Sequence, residues 1–158
     1  MNPSKRAITI AAAVATVAAL YEGDRRVAYY DPPGILTVCY GHTGPDVVKG
    51  KVYTASECKA LLEGDALEAV TTVLKCVPNA PDSVAVAFGD AVFNIGPKIA
   101  CDKSASTAAR MLAAGDWSGA CNQLPRWNKT TIAGQLVELR GLTRRREEER
   151  QICLEGLS

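Results

Sequence analysis

The sequence predicts an α+β fold, a small antiparallel β-sheet lobe followed by a larger helical lobe, and three observations predict it. Between Val27 and Val48, β-branched and aromatic residues alternate with turn formers, Asp31-Pro32-Pro33-Gly34 and Gly44-Pro45-Asp46, the pattern of short strands joined by turns. From Thr54 onward the apolar residues recur at the helical period instead. The length of 158 residues with 47% hydrophobic content is enough for one domain with a real core, spanning 1–158, and too short for two independent ones.

The chain opens with a short basic head, Met1 to Arg6, and then an uncharged alanine-rich run from Ala7 to Leu20. That is the layout of a secretion signal. As a helix the run is about 21 Å long, against a hydrocarbon thickness of about 30 Å, so permanent spanning is not expected. Ala13-Val14-Ala15 and Val17-Ala18-Ala19 have the form of cleavage sequences, but cutting there would remove the helix that leads into Glu22, so retention is expected. Thr9 and Thr16 lower the hydrophobicity of a segment that would enter a membrane weakly and leave it again. The other reading is a plain first helix of the fold.

Residues 22–50 form the predicted sheet lobe. Thr37, Cys39 and Gly41 are expected to share one face of a strand and Tyr40 to point to the other. Residues 54–158 are mainly helical. Thr54-Ala55-Ser56-Glu57 is a capping box that opens a helix through Leu62, Gly64 is expected to break or bend it, and the pattern resumes through Leu67, Val70, Val73 and Leu74 until Cys76 and Pro78. Asp82 or Ser83 would cap the next helix, apolar on nearly all sides from Val84 to Ile95 and therefore central. Beyond Gly96-Pro97 the spacing predicts a helix from about Ser104 to Ala114, a short one begun by Asp116, a break at Pro125 and a final helix from Leu142 to about Leu154. The final helix interleaves Arg144-Arg145-Arg146 and Arg150 with Glu147-Glu148-Glu149, which predicts a solvated surface with i,i+4 pairs. Its arginines would also draw the protein toward anionic wall polymer or lipid.

Net charge of +1 excludes little. Six cysteines in a small domain point to a compartment where disulfides persist. Spacing does not choose among the possible connectivities, and the pairing Cys39 with Cys58, Cys76 with Cys101 and Cys121 with Cys153 is favoured because each would link an element to its neighbour. With one histidine and no CxxC, no metal site or cofactor is expected. There is no repeat, low-complexity tract or nucleic-acid motif.

The stretch from Glu22 to Thr43 carries the chemistry. Eight residues separate Glu22 from Asp31 and five separate Asp31 from Thr37, and the only histidine, His42, follows in an apolar run. Glu22, after the apolar run, is expected in a dry niche that keeps its proton; Asp31, before Pro-Pro-Gly, is expected in a wetter turn that leaves it ionised. Taken singly, each reads more readily as an ordinary residue, Glu22 as a solvated helix end, Asp31 as a turn former and Thr37 as a strand residue. In this combination they resemble the catalytic signature Glu-x8-Asp-x5-Thr of the phage-type lysozymes, without insertion or deletion. Thr37 to Gly44 looks like that family's Thr-x-x-x-Gly-His strand, Val92-Phe93-Asn94-Ile95-Gly96 its cleft helix, Arg126-Trp127 its tryptophan motif, and Gly141 to Glu147 its C-terminal helix.

The resemblance implies a lysozyme-like fold with a cleft between the lobes. It implies hydrolysis, with inversion, of the β-1,4 bond between N-acetylmuramic acid and N-acetylglucosamine in peptidoglycan, Glu22 acting as acid and Asp31 with Thr37 preparing the water. It places Gly41, His42, Thr43, Phe93 and Asn94 along the substrate, Gly41 leaving room beside the sugar. His42 reads as a structural neighbour, Phe93 as core or a substrate-facing ring, and Trp127 as packing between helices with sugar stacking as the minor reading. The N-terminal run looks most like that of the signal-arrest-release endolysins, which implies a monomer that reaches the host periplasm after a transient inner-membrane association through Ala7 to Leu20. Two other functions fit the same chain: a lytic transglycosylase acting on the same bond, and a non-catalytic wall-binding or membrane-active module.

Overall fold

The apolar N-terminal run is helix α1, Lys5–Tyr21, in the computed structural model, which describes residues 2–158. Ser4 caps it, its hydroxyl accepting from Ala7 N at 3.0 Å. Ala7, Ile10, Ala11, Val14, Ala15 and Ala18 form its buried face, and their small size lets α1 lie close against two later helices, α2 and α3 (Ala55–Cys76 and Asp82–Ile95). The basic head is used as well: Arg6 Nε donates to Asp82 at 2.8 Å and its Nη2 to Ala80 O, pinning the start of α1 to the start of α3. Among the described residues no helix is long and apolar enough to cross a membrane.

The sheet lobe has strands β1, Arg25–Tyr30, β2, Leu36–Cys39, and β3, His42–Thr43, antiparallel in that order. Tyr29 pairs with Thr37 and Val38 with His42, and the β1–β2 register shifts between Arg25 and Tyr29. The expected alternation of Thr37, Cys39 and Gly41 on one face does not occur. Cys39 takes φ of 60° and Gly41 φ of 78°, so the chain leaves the extended form and turns, and Thr37, Val38 and Cys39 are all buried. Alternation needs a continuous pleat, and β2 ends before one is established. Val38, Cys39, Val47, Tyr53 and Cys58 make the small core of this lobe.

Helix α2 opens with the expected capping box, Thr54 Oγ1 accepting from Glu57 N at 3.1 Å and Glu57 Oε2 from Thr54 N at 2.7 Å. It does not break at Gly64. A glycine inside a helix costs about 1 kcal/mol, and α2 is held along its length by packing on α1 and α3 and tied near both ends by Cys39–Cys58 and Cys76–Cys101. Helix α3 is the hub of the main core, with Val84, Ala85, Ala87, Phe88, Ala91 and Val92 buried. Neither Asp82 nor Ser83 caps it: Pro81 holds the cap position with no side-chain bond, because Asp82 is turned to Arg6 and the Ser83 hydroxyl donates to Cys153 O at 3.2 Å.

The helix expected over 104–114 is the shorter α5, Thr107–Ala113, and a short helix the sequence did not announce, α4, Lys98–Cys101, precedes it. Buried Ser106 separates them, its hydroxyl donating to Ile99 O at 2.7 Å and accepting from Ala109 N at 3.1 Å. Asp116 caps α6, Trp117–Gln123, and a short 3-10 turn, Leu124–Arg126, follows. Next comes a hairpin the sequence did not announce, β4, Lys129–Ile132, and β5, Gln135–Glu138. Its turn residues Ala133 and Gly134 both have positive φ, a conformation usually signalled by Asn-Gly or Asp-Gly, and its exposed strands carry no alternating pattern to read. The last helix, α7, Arg140–Glu155, is joined to α6 by Cys121–Cys153. The three disulfides follow the neighbour-to-neighbour pairing.

Candidate active site

Glu22 terminates α1: its backbone N–H closes on Ala18 O at 2.9 Å, and its side chain leaves the helix end toward the sheet lobe. The niche around it differs from the apolar one expected. Glu22 Oε1 accepts from Arg145 Nη1 at 2.7 Å, and its other oxygen faces Gly41, where a Cβ would stand only 3.0 Å away. The space left by that glycine is therefore occupied first by the Glu22 carboxylate. Gly41 also sits at positive φ, so the turn that presents it requires a glycine twice over.

Arg145 is 3% exposed, Arg146 and Glu149 0%. The expectation of a solvated α7 fails on this face, because a run of charges spaced for solvent on one side places every third or fourth residue against α3 on the other. Arg145 Nε and Nη2 donate to the two oxygens of Asp90, both at 2.8 Å. Arg146 Nη2 donates to Glu149 at 2.7 Å and to Asn94 Oδ1 at 2.9 Å. The guanidinium of Arg145 also lies 5.2 Å from the Tyr21 ring and 6.0 Å from the Phe93 ring, a cation–π setting. Burial opposes the charge on Arg145, but Asp90 and then Glu22 outweigh it and keep it protonated more firmly than an ordinary arginine. Burial likewise works to raise Asp90, and the bond from Arg145 overcomes it, holding the carboxyl below its usual range. Glu149 goes the other way, pushed well up by burial and next by Asp90.

On the sheet side, Asp31 closes its own turn. Its Oδ1 accepts from Ile35 N at 2.7 Å, and its Oδ2 lies 3.5 Å from the Thr37 hydroxyl. The Thr37 side chain is buried, its hydroxyl also 3.0 Å from Ile35 O. Asp31 is thus half-buried and braced, less open to water than the turn sequence suggested.

His42 is fully engaged. Nδ1 meets Asp65 at 2.7 Å and Nε2 meets Asp46 at 3.0 Å, leaving no ring nitrogen for a substrate. Burial alone would lower its pKa, but the bonds to Asp65 and then Asp46 raise it above the ordinary imidazole value. A cavity of about 350 Å³ runs past Gly41, Thr43, Asp65, Glu68, Thr72 and Phe93. Phe93 is half-buried, packed on the core and also lining the cavity. Asn94 gives its oxygen to Arg146, which leaves its amide N–H groups for another partner. Trp127 packs against the main core.

The structure brings Glu22 and Gly41 into contact, and Asp31 and Thr37 likewise. Two residues of the site are not read as such in the sequence: Asp90 is passed over, and Arg145 is expected on a solvated surface. The signal for Asp90 was there: one carboxylate inside the otherwise apolar Val84–Phe93 segment, where a charge is buried only with a partner.

Residues 19–149 match the phage lysozyme family model. The chain is 43% identical over 136 residues to the SAR-endolysin of Bacteriophage PS119, covering 85% of this chain and 77% of that one. It is 35% identical over 161 residues to the SAR-endolysin of Pseudomonas phage phiKMV, covering 100% and 96%. Among solved structures, the active form of P1 phage endolysin Lyz superimposes with a TM-score of 0.78 at 29% identity, over 92% of this chain and 85% of that one.

Proposed function

The chain belongs to the phage lysozyme family, and from that premise we propose how its residues divide the work. It is a lysozyme of the endolysin type, a glycoside hydrolase that opens bacterial peptidoglycan for host lysis. The bond cut is the β-1,4 link between N-acetylmuramic acid and N-acetylglucosamine. Glu22 protonates the leaving oxygen, and Asp31, with Thr37, orients the attacking water from the opposite face of the sugar, giving inversion. The observation that carries this reading is the fixed direction of Glu22. One oxygen is held by Arg145, while the other faces Gly41 on the cavity wall. Gly41, Thr43 and Phe93 then lie along the glycan, Asn94 offers it amide hydrogens, and His42 keeps the β3 turn in shape from behind.

The test is Glu22→Gln and Asp31→Asn in the full-length protein, assayed on purified peptidoglycan. General acid–base catalysis contributes about 10² to 10⁴ in rate, so each variant should lose at least about a hundredfold while melting close to wild type. Full activity in Glu22→Gln would remove the proposed acid. Product masses should show water added at the cut; anhydro ends would identify a transglycosylase instead.

We propose further that the protein works as a monomer in the host periplasm and arrives there by a membrane-tethered stage of Ala7 to Leu20, a route supported by its likeness to relatives named SAR-endolysin. The outer face of α1 supports this, because it stays apolar when the inner face is docked: Ile8 is 51% exposed and Leu20 72%. Cell fractionation over time should find the full-length chain first with the inner membrane and then in the periplasm. Protein confined to the cytosol would defeat this route.

A further inference from the structure

Arg145 commits more of its guanidinium to Asp90 than to Glu22. Nε and Nη2 make a two-pronged bond to Asp90 at 2.8 Å each, and only Nη1 reaches Glu22, at 2.7 Å. A buried arginine requires a counter-charge, and a two-pronged carboxylate is the strongest one a protein supplies. Asp90 is itself 0% exposed and stands on the central helix, so this pair is complete whether Glu22 is ionised or not.

We propose that Asp90 is a positioning residue for the hydrolysis: by neutralising Arg145 from α3, it lets the arginine aim Glu22 without forcing that carboxyl to stay ionised. This rests on Glu22 being the acid. The reason is electrostatic. A carboxyl in contact with an unbalanced guanidinium is driven toward its charged form, and a carboxylate has no proton to give. A carboxyl with no partner at all would be free to swing. The Asp90–Arg145 pair separates the two requirements, orientation from Arg145 and charge balance from Asp90.

Among the described residues the surroundings offer only a more distant substitute for Asp90. From α7, Arg145 touches Glu22 directly, while Glu149 is 3.8 Å from Arg145 and bonded to Arg146 at 2.7 Å. From α1, Tyr21 hydrogen-bonds to Glu148 and lays its ring on Arg145. From β1, burial pushes the Tyr29 phenol up, the Glu22 and Asp31 charges add to that, and Arg25, 4.2 Å over the Tyr29 ring, works against it. Without the Asp90 charge, Glu22 at 2.7 Å is the nearest carboxyl to Arg145, with Glu149 at 3.8 Å.

The experiment is the pH dependence of kcat/KM on soluble glycan strands, with KM and kcat separated, for the full chain as wild type, Asp90→Asn and the double variant Asp90→Asn with Arg145→Gln. In Asp90→Asn the arginine is left to Glu22, so the alkaline limb of the profile should move to lower pH by about one unit or more, with kcat falling at neutral pH and KM nearly unchanged. In the double variant the cation and its counter-charge leave together, so the limb should return close to the wild-type position, with kcat still reduced because nothing aims Glu22. Loss of rate or thermal stability in Asp90→Asn with the limb unmoved would mean that Asp90 only holds the core together, and would overturn the proposal. Should Asp90→Asn fail to fold, the double variant decides alone, because its paired amides replace both members of this ion pair; a limb moved to higher pH by about one unit or more would mean that Arg145 acts on Glu22 unneutralised beside Asp90, and would overturn the proposal. Glu22→Gln is measured alongside, since activity in that variant would fault the assignment of the acid and not the role of Asp90.

Discussion

Glu22 and Gly41 meet at the junction of the two lobes, with the glutamate Oε2 only 3.0 Å from where a Cβ of residue 41 would stand. Gly41→Ala adds that carbon at a φ of 78°, a left-handed conformation that costs a non-glycine residue about 1–2 kcal/mol. The carboxylate then has to move. A displacement of about 1 Å in a reacting group is enough for a loss of about a hundredfold, so lytic activity should fall by at least that much while the protein remains folded by circular dichroism. Activity within a few-fold of wild type would show that the contact has no bearing on the reaction.

His42 is the only histidine, so its imidazole can be followed by NMR without ambiguity. It should titrate above the ordinary value of about 6.5, because the bonds to Asp65 and Asp46 overcome the effect of burial. The two carboxylates do not share this equally: burial pushes Asp65 up while His42 holds Asp46 down. Asp65 therefore gives back part of the gain as desolvation, and the His42 shift is the better guide to the sign. A histidine raised in the folded state adds stability below its unfolded pKa, and that stability is lost as pH rises through the folded one. The melting-temperature gap between wild type and His42→Asn should accordingly be widest near pH 6 and narrow through pH 7 and above. A gap that widens with pH would contradict the assignment.

Helices α1, α2 and α3 cross at Gly89, where an added Cβ would meet Val14 Cγ2 at 2.9 Å and Val70 Cγ2 at 3.1 Å. Replacing a helical glycine by alanine normally gains about 1 kcal/mol. Here both neighbours are fully buried valines with stiff side chains, and overpacking of that kind costs about 1–3 kcal/mol. The clash should win: Gly89→Ala should lower the urea midpoint, and Val14→Ala in the same chain should recover part of the loss. A stabilised Gly89→Ala would mean that the helices can part at no cost.

The disulfides Cys39–Cys58 and Cys121–Cys153 close loops of 19 and 32 residues, and removing either as a double alanine variant should cost about 2–4 kcal/mol. Their effects on activity should differ. Cys39 anchors the turn that carries Gly41 and His42, whereas Cys121–Cys153 ties α6 to the far end of α7. At a temperature where both variants are folded, kcat/KM should drop in the first and hold in the second. Equal losses would place the effect in global stability.

Much of this protein is legible along the chain. The capping box at Thr54, the all-round apolar α3 and the strand-and-turn rhythm after Val27 are local or periodic features, and each is found in the fold, although β2 ends before the alternation expected at Thr37, Cys39 and Gly41 is established. What failed was local reasoning applied to residues whose fate depends on a distant partner. Gly64 stays helical because neighbours and disulfides hold α2, and the β4–β5 hairpin forms around an Ala-Gly turn that carries no strong signal of its own. Arg145, Arg146 and Glu149 look like three more charges on a wet helix until α3 turns Asp90 toward them.

By itself, then, the order of residues foretold most of the helices, the first sheet and a candidate set of reacting side chains, since propensity, periodicity and motif spacing act within a few turns of chain. Only the packing of α1, α3 and α7 decided that the end of the first helix would be held by an arginine more than a hundred residues away (Glu22 and Arg145). Whether a charge ends in water or in a core is set by the surface that closes over it, and that surface exists only once the chain has folded.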